Sequence, residues 1–129
     1  MFIDLLEEKE KNALMGLLVN IAKADGNIDE AEKDFLEKYA NEHGVDLNIE
    51  SNVSISDSCR QISSKKAKVV AMQEIIKLAI VDGNYDEAEK AGAMAIAEML
   101  GIENDKFKEI EKWVLDGQQW VKRGIEMLG

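Results

Sequence analysis

The chain has no proline, one cysteine and one histidine among 129 residues. Aromatic residues make up only 5% of it. A single thiol, Cys59, allows no internal disulfide, so a reducing, cytoplasmic setting is expected. One imidazole and one thiol leave too few soft ligands for zinc. They also leave only Cys59 with His43 as a nucleophilic pair, and nothing in the local sequence supports that pair. His43 has a simpler reason to stand where it does. It lies beside Gly44 at an expected helix end, where an imidazolium suits the helix dipole. Long apolar runs are missing as well: the best stretch, Leu14 to Ala22, is broken by Gly16 and Asn20 and is too short to span a bilayer. The start, Met1-Phe2-Ile3-Asp4, has no basic region before an apolar core, and no signal peptide is expected. There is no Gly-rich phosphate loop and no zincin helix motif. The net charge of -10 argues against nucleic acid as a partner, because phosphate contacts need clustered Lys and Arg.

What remains favours helices. Ala, Leu, Ile, Glu and Lys dominate, and 46% apolar with 33% charged residues suits a folded chain with a substantial core. The expected fold is all-α: a compact helical bundle in one domain, residues 1–129.

One stretch is written twice. Asp25-Gly26-Asn27-Ile28-Asp29-Glu30-Ala31-Glu32-Lys33 returns as Asp82-Gly83-Asn84-Tyr85-Asp86-Glu87-Ala88-Glu89-Lys90, with only Ile28/Tyr85 different. The register continues outward, Leu18 answering Ile75 and Gly44 answering Gly101. Two pseudo-repeated helix-loop-helix units follow, about residues 6–44 and 65–101. In each, Asp-Gly-Asn ends a helix with glycine in the left-handed position. Asp29 and Asp86 then read as N-caps, with Glu32 and Glu89 placed to complete capping boxes. The first helix is expected to bury Leu14, Leu17, Leu18 and Ile21, and the second Phe35, Leu36, Tyr39 and Ala40.

Val45 to Ser58 reads as a loop with a short helix starting near Asp57. A helix over about Lys65 to Val81 should bury Val69, Met72, Ile75, Ile76 and Ala79. Its start, Lys65-Lys66-x-Lys68, is a basic patch in an acidic chain, read as a solvated helix start or as a contact for an acidic partner. After the second loop, Ala93, Ile96, Ala97 and Leu100 should face inward. A C-terminal helix over about 105–127, capped by Asn104, carries an inner stripe of Phe107, Ile110, Val114 and Val121. Beside it runs a second stripe, Trp113, Gly117, Trp120, Gly124 and Met127. Burial in a groove between the repeats is the simpler expectation. The alternative is an exposed aromatic contact for a protein partner, or for a homodimer through Trp113 and Trp120.

The doubled loop invites comparison with EF-hands, and the register fails. With Gly26 as the sixth-position glycine, positions 1 and 3 fall on Ile21 and Lys23; in the second copy they fall on Leu78 and Ile80. Neither pair supplies carboxylates. A looser cation site is still conceivable if the loops meet, from Asp25, Asp29, Glu32, Asp82, Asp86 and Glu89. Each carboxylate pair about 4 Å apart would repel by about 4 kcal/mol at an effective dielectric near 20, and calcium or magnesium would relieve that. Affinity would be weak, on the order of 10⁻⁴ to 10⁻³ M. Set against this, every acid in the motif has a local helix-ending or capping task without metal. Paired acids could also serve glycoside hydrolysis, but a small helical bundle has little room for the cleft that chemistry needs.

The paired stretches Lys23-Ala24-Asp25 through Lys33 and Ile80-Val81-Asp82 through Lys90, each before a helix ending in glycine, resemble the tellurite-resistance TerB-like family. The resemblance covers about Leu14 to Val114. It implies a bundle of about seven helices in two related halves and a non-enzymatic role in membrane-linked stress responses. It also implies a divalent-metal or partner-binding surface formed by Asp25, Asp29, Glu32, Asp82, Asp86 and Glu89. The competing reading is a purely structural interaction module.

Overall fold

The computed structural model describes residues 1–24, 26–49, 53–81, 83 and 85–129. After a 3-10 turn at Ile3–Leu5 come six α-helices: α1 (Glu8–Ala22), α2 (Glu30–His43), α3 (Ile55–Arg60), α4 (Lys65–Ala79), α5 (Glu87–Met99) and α6 (Asn104–Glu126). Among the described residues there is no strand, and no helix is long and apolar enough to cross a membrane. The fold is all-α, as the composition and periodicity indicated.

The repeat organises the packing. α1 pairs with α2, α4 with α5, and the two units meet through their first helices, α1 against α4. Those two helices carry apolar residues around more than one face, as burial on several sides requires. Leu14, Leu17 and Leu18 of α1 and Met72, Ile75, Ile76 and Leu78 of α4 are fully enclosed. α2 and α5 cover the pair and are buried along one stripe only. Leu36 and Tyr39 are buried on α2, with Phe35 and Ala40 half-buried beside them; Ala93, Ile96 and Ala97 are buried on α5. On α4, Val70 is buried and Val69 only half-buried.

α3 lies on α1. It begins at Ile55, two residues before the expected start, because Ser54 accepts the Asp57 N–H at 3.0 Å and caps it. Residues 50–52 of the preceding loop fall outside the described residues. Gly16 makes the close approach to α3 possible: a Cβ there would stand 2.9 Å from Ser58 Oγ.

α6 corrects three sequence expectations. It starts at Asn104 with Glu103 as N-cap and no side-chain cap bond, so Asn104 is the first helical residue. Phe107, Ile110 and Val114 are buried as expected, but Val121 is 52% exposed. The neighbouring stripe is not buried in a groove either: Trp113 is 40%, Trp120 70% and Met127 84% exposed. Length explains this. At about 1.5 Å per residue, the 23 residues of α6 reach about 35 Å and the 15 of α4 only about 22 Å. α6 packs on α4 through its first half, and from Asp116 onward every residue is exposed.

Phe107→Ala should therefore lower the unfolding free energy by about 3–5 kcal/mol. Removal of residues 120–129 should leave it nearly unchanged. Urea unfolding of both variants checks this; a truncation as costly as Phe107→Ala would place the distal half of α6 in the core.

Candidate functional site

The loops repeat in geometry as they do in sequence. The Gly26 N–H donates to the Lys23 carbonyl at 2.9 Å, and the Gly83 N–H to the Ile80 carbonyl at 3.0 Å. Both glycines have positive φ, 88° and 81°, a conformation that side chains with a Cβ resist. Asp29 then caps α2, its Oδ1 accepting the Glu32 N–H at 2.8 Å, while the Asp29 N–H donates to Glu32 Oε1 at 3.3 Å. This is the expected capping box. Asp86 caps α5 by accepting the Glu89 N–H at 2.8 Å, but among the described residues the reciprocal bond that would complete the expected box is present only at α2.

The six acids thus have the following places. Asp29 and Asp86 are exposed caps, Glu32 is buried at 7% and Glu89 is half-buried. Asp29 meets Glu32, and Asp86 meets Glu89, each pair within its own loop. Asp25 and Asp82 lie outside the described residues. Among the described residues no three Asp, Glu, His or Cys side chains converge as metal ligands.

The one difference between the copies has a structural purpose. Ile28 packs against the core, whereas the Tyr85 hydroxyl donates to Glu111 Oε2 on α6 at 2.6 Å. Lys90 stands 3.7 Å from the same carboxylate. The second loop is therefore tied to α6, which has no counterpart in the first repeat. Burial, then the bond to Glu111 and the charges of Glu111 and Glu89, push the Tyr85 hydroxyl well above its ordinary 10.0. Tyr39, buried near Glu74 and donating to the Lys11 carbonyl at 2.8 Å, is raised for the same first reason. Burial also raises the Cys59 thiol, which fits a packed thiol rather than a nucleophile. His43 lies 5.2 Å from the Tyr39 ring and 3.5 Å from Asp4.

The other distinctive surface is α6. Phe107, Ile110, Val114, Gly117, Val121, Gly124 and Leu128 follow alternating steps of three and four, the spacing of a helix–helix seam. The first three are buried, and the rest continue the same face into solvent. Trp113, Trp120 and Met127 flank it at intervals of seven. Trp113 is the hinge between the halves. Its ring stacks on Phe2 at 6.0 Å between centroids and carries the Lys77 ammonium 5.7 Å from its own, and Lys77 also pairs with buried Glu74 at 2.9 Å. Beyond it, Trp120, Val121, Ile125 and Leu128 stand 52–85% exposed.

These features together define an all-helical bundle of two related halves with paired Asp-Gly loops. The family model for tellurite resistance protein TerB matches residues 2–48, which span α1, the first loop and α2. Over those residues the chain is similar to the TerB family, in agreement with the resemblance carried by the doubled motif. No curated protein and no solved structure matches it.

Two outcomes follow from the loop geometry. Asp29→Ala and Asp86→Ala should each cost about 1 kcal/mol in denaturant unfolding, the usual worth of an N-cap. Stability should also fall in alkali. The folded Tyr39 and Tyr85 hydroxyls keep their protons to higher pH than unfolded ones. Their contribution is complete below pH 10 and is lost as pH rises above it. Tyr85→Phe should flatten that alkaline limb, measured by unfolding free energy from about two pH units below to about one above the ordinary Tyr pKa of about 10.

Proposed function

We propose that this TerB-like chain is a non-catalytic, cytoplasmic interaction module that docks a protein through the exposed face of α6. A second copy of the chain is the simplest occupant. The observation that carries this is the solvent-exposed continuation of a buried seam, from Gly117 through Val121 to Leu128 with Trp120 beside it. Large contiguous apolar faces on otherwise charged proteins mark interaction sites, and exposed tryptophans make strong anchors.

Two further features support a helical partner. Gly117 and Gly124 each cost the helix about 1 kcal/mol relative to alanine, and nothing inside the chain lies within 4 Å of where a Cβ would stand. Absent side chains at those steps let another backbone come close. Charge agrees. Between Asp116 and Glu126 the two acids, Asp116 and Glu126, balance the two bases, Lys122 and Arg123, giving zero in a chain of net charge -10. Two copies can meet there without the repulsion that the rest of the surface would impose.

Sedimentation equilibrium over a wide concentration range tests this. A mass rising toward two chains, and held at one chain by Trp120→Ala with Val121→Ser, is expected. A single-chain mass up to millimolar protein would remove the second copy as occupant.

A second reading rests on the repetition of one Gly-Asp cap geometry in both loops. Asp25, Asp29, Glu32, Asp82, Asp86 and Glu89 would together draw a divalent cation, calcium or magnesium, or a basic partner, in a stress or tellurite-resistance-type response. A ligand at 100 times its dissociation constant adds about 2.7 kcal/mol to stability. Thermal unfolding with millimolar calcium or magnesium, against EDTA, should then show a rise that Asp25→Asn with Asp82→Asn removes. An unchanged midpoint at tens of millimolar cation would leave the acids as helix caps.

A further inference from the structure

Away from both the loops and the distal half of α6, a groove runs between the first turns of α4 and α6. One end, about 530 Å³, is lined by Phe2, Leu5, Val69, Lys65, Lys66 and Lys106 among others. The other, about 490 Å³, shares Lys65, Val69 and Lys106 and continues past Lys68 to Ile102 and Glu103. The shared residues make the two ends one channel. Its floor is apolar: Val69 is half-buried, Phe2 is 40% and Leu5 58% exposed.

The walls are basic. Four lysines and one carboxylate, Glu103, line the two ends, a local balance of +3 in a chain of -10. Lys106 is shared with Glu109, 3.4 Å away. The other three have no such partner among the described residues, and the first turn of α4 holds no acid at all. At physiological salt the Debye length is about 8 Å, so a ligand in the groove feels these lysines more than the distant acids.

We infer that this groove is a docking site for an acidic peptide segment, Asp and Glu residues around one or two apolar anchors. The lysines supply charge complementarity on both walls, and the Phe2, Leu5 and Val69 floor takes the anchors. A shallow, open groove with basic walls takes an extended acidic peptide along its length. Trp120 lies 14 residues beyond Lys106, about 21 Å along α6, so the two sites are tested by separate variants.

The test is fluorescence anisotropy of the full chain with a labelled synthetic peptide, Glu-Asp-Glu-Leu-Glu-Asp-Leu-Phe-Glu-Asp. A control peptide carries Ser in place of Leu and Phe. Saturable binding that weakens with salt is expected, at least about tenfold weaker for Lys65→Glu with Lys66→Glu and for the control peptide. Both lysines are exposed and sit where acids favour a helix N-terminus, so the double variant should melt no lower than the parent chain. Leu5→Ser offers a second, apolar variant expected to weaken binding without unfolding. Equal affinity of parent chain and double variant, equal affinity for the control peptide, or no saturation would overturn the assignment. So would binding to phosphatidylserine vesicles that depends on Lys65 and Lys66 and is not displaced by the peptide.

Discussion

The contact of α1 with α4 is the constraint on which the remaining structure depends. Each is the first helix of its repeat, and each buries leucine, isoleucine or methionine side chains completely. Neither helix has a polar face wide enough to stand alone in water. Pairing them puts the two halves in contact, and the second helices, α2 and α5, then need only one apolar stripe each. The Asp-Gly loops are what make this economical: a left-handed glycine closes the turn that follows the first helix, and an aspartate three residues on starts the second.

Local chemistry was legible in the sequence because its partners are close in the chain. Asp29 with Glu32 and Asp86 with Glu89 are separated by three residues, and cap bonds form wherever the backbone turns correctly. The same holds for Gly26, Gly44, Gly83 and Gly101, all at positive φ. Tertiary partners were not legible. Nothing in the repeat says that Tyr85 would meet Glu111; the only signal was that Tyr85 broke an otherwise identical motif. Periodicity showed that Val114 and Val121 share a face of α6. It could not show that α4 would end before reaching Val121. Burial was assigned to a stripe whose covering helix is one-third shorter.

The six motif acids show how one residue type can satisfy two readings at once. A cap aspartate and a cation ligand look alike in sequence, because both want a carboxylate beside a turn. In the structure Asp29 Oδ1 and Asp86 Oδ1 are already engaged by backbone N–H groups, which leaves their remaining oxygen lone pairs for any further task. The surfaces without an internal purpose lie elsewhere. Lys65, Lys66 and Lys68, without an ion pair among the described residues, and the exposed seam of α6 both lie outside the core.

Amide hydrogen exchange along α6 probes this division most directly. In dilute solution, protection should be high over Phe107 to Val114, where the helix is packed, and low from Trp120 to Glu126, beyond the bond from Gln118 to the Ile80 carbonyl. Raising the protein concentration should transfer protection to the second segment. Uniformly high protection of α6 in a dilute single chain would contradict the division, and would mean that the distal half is held by the fold itself.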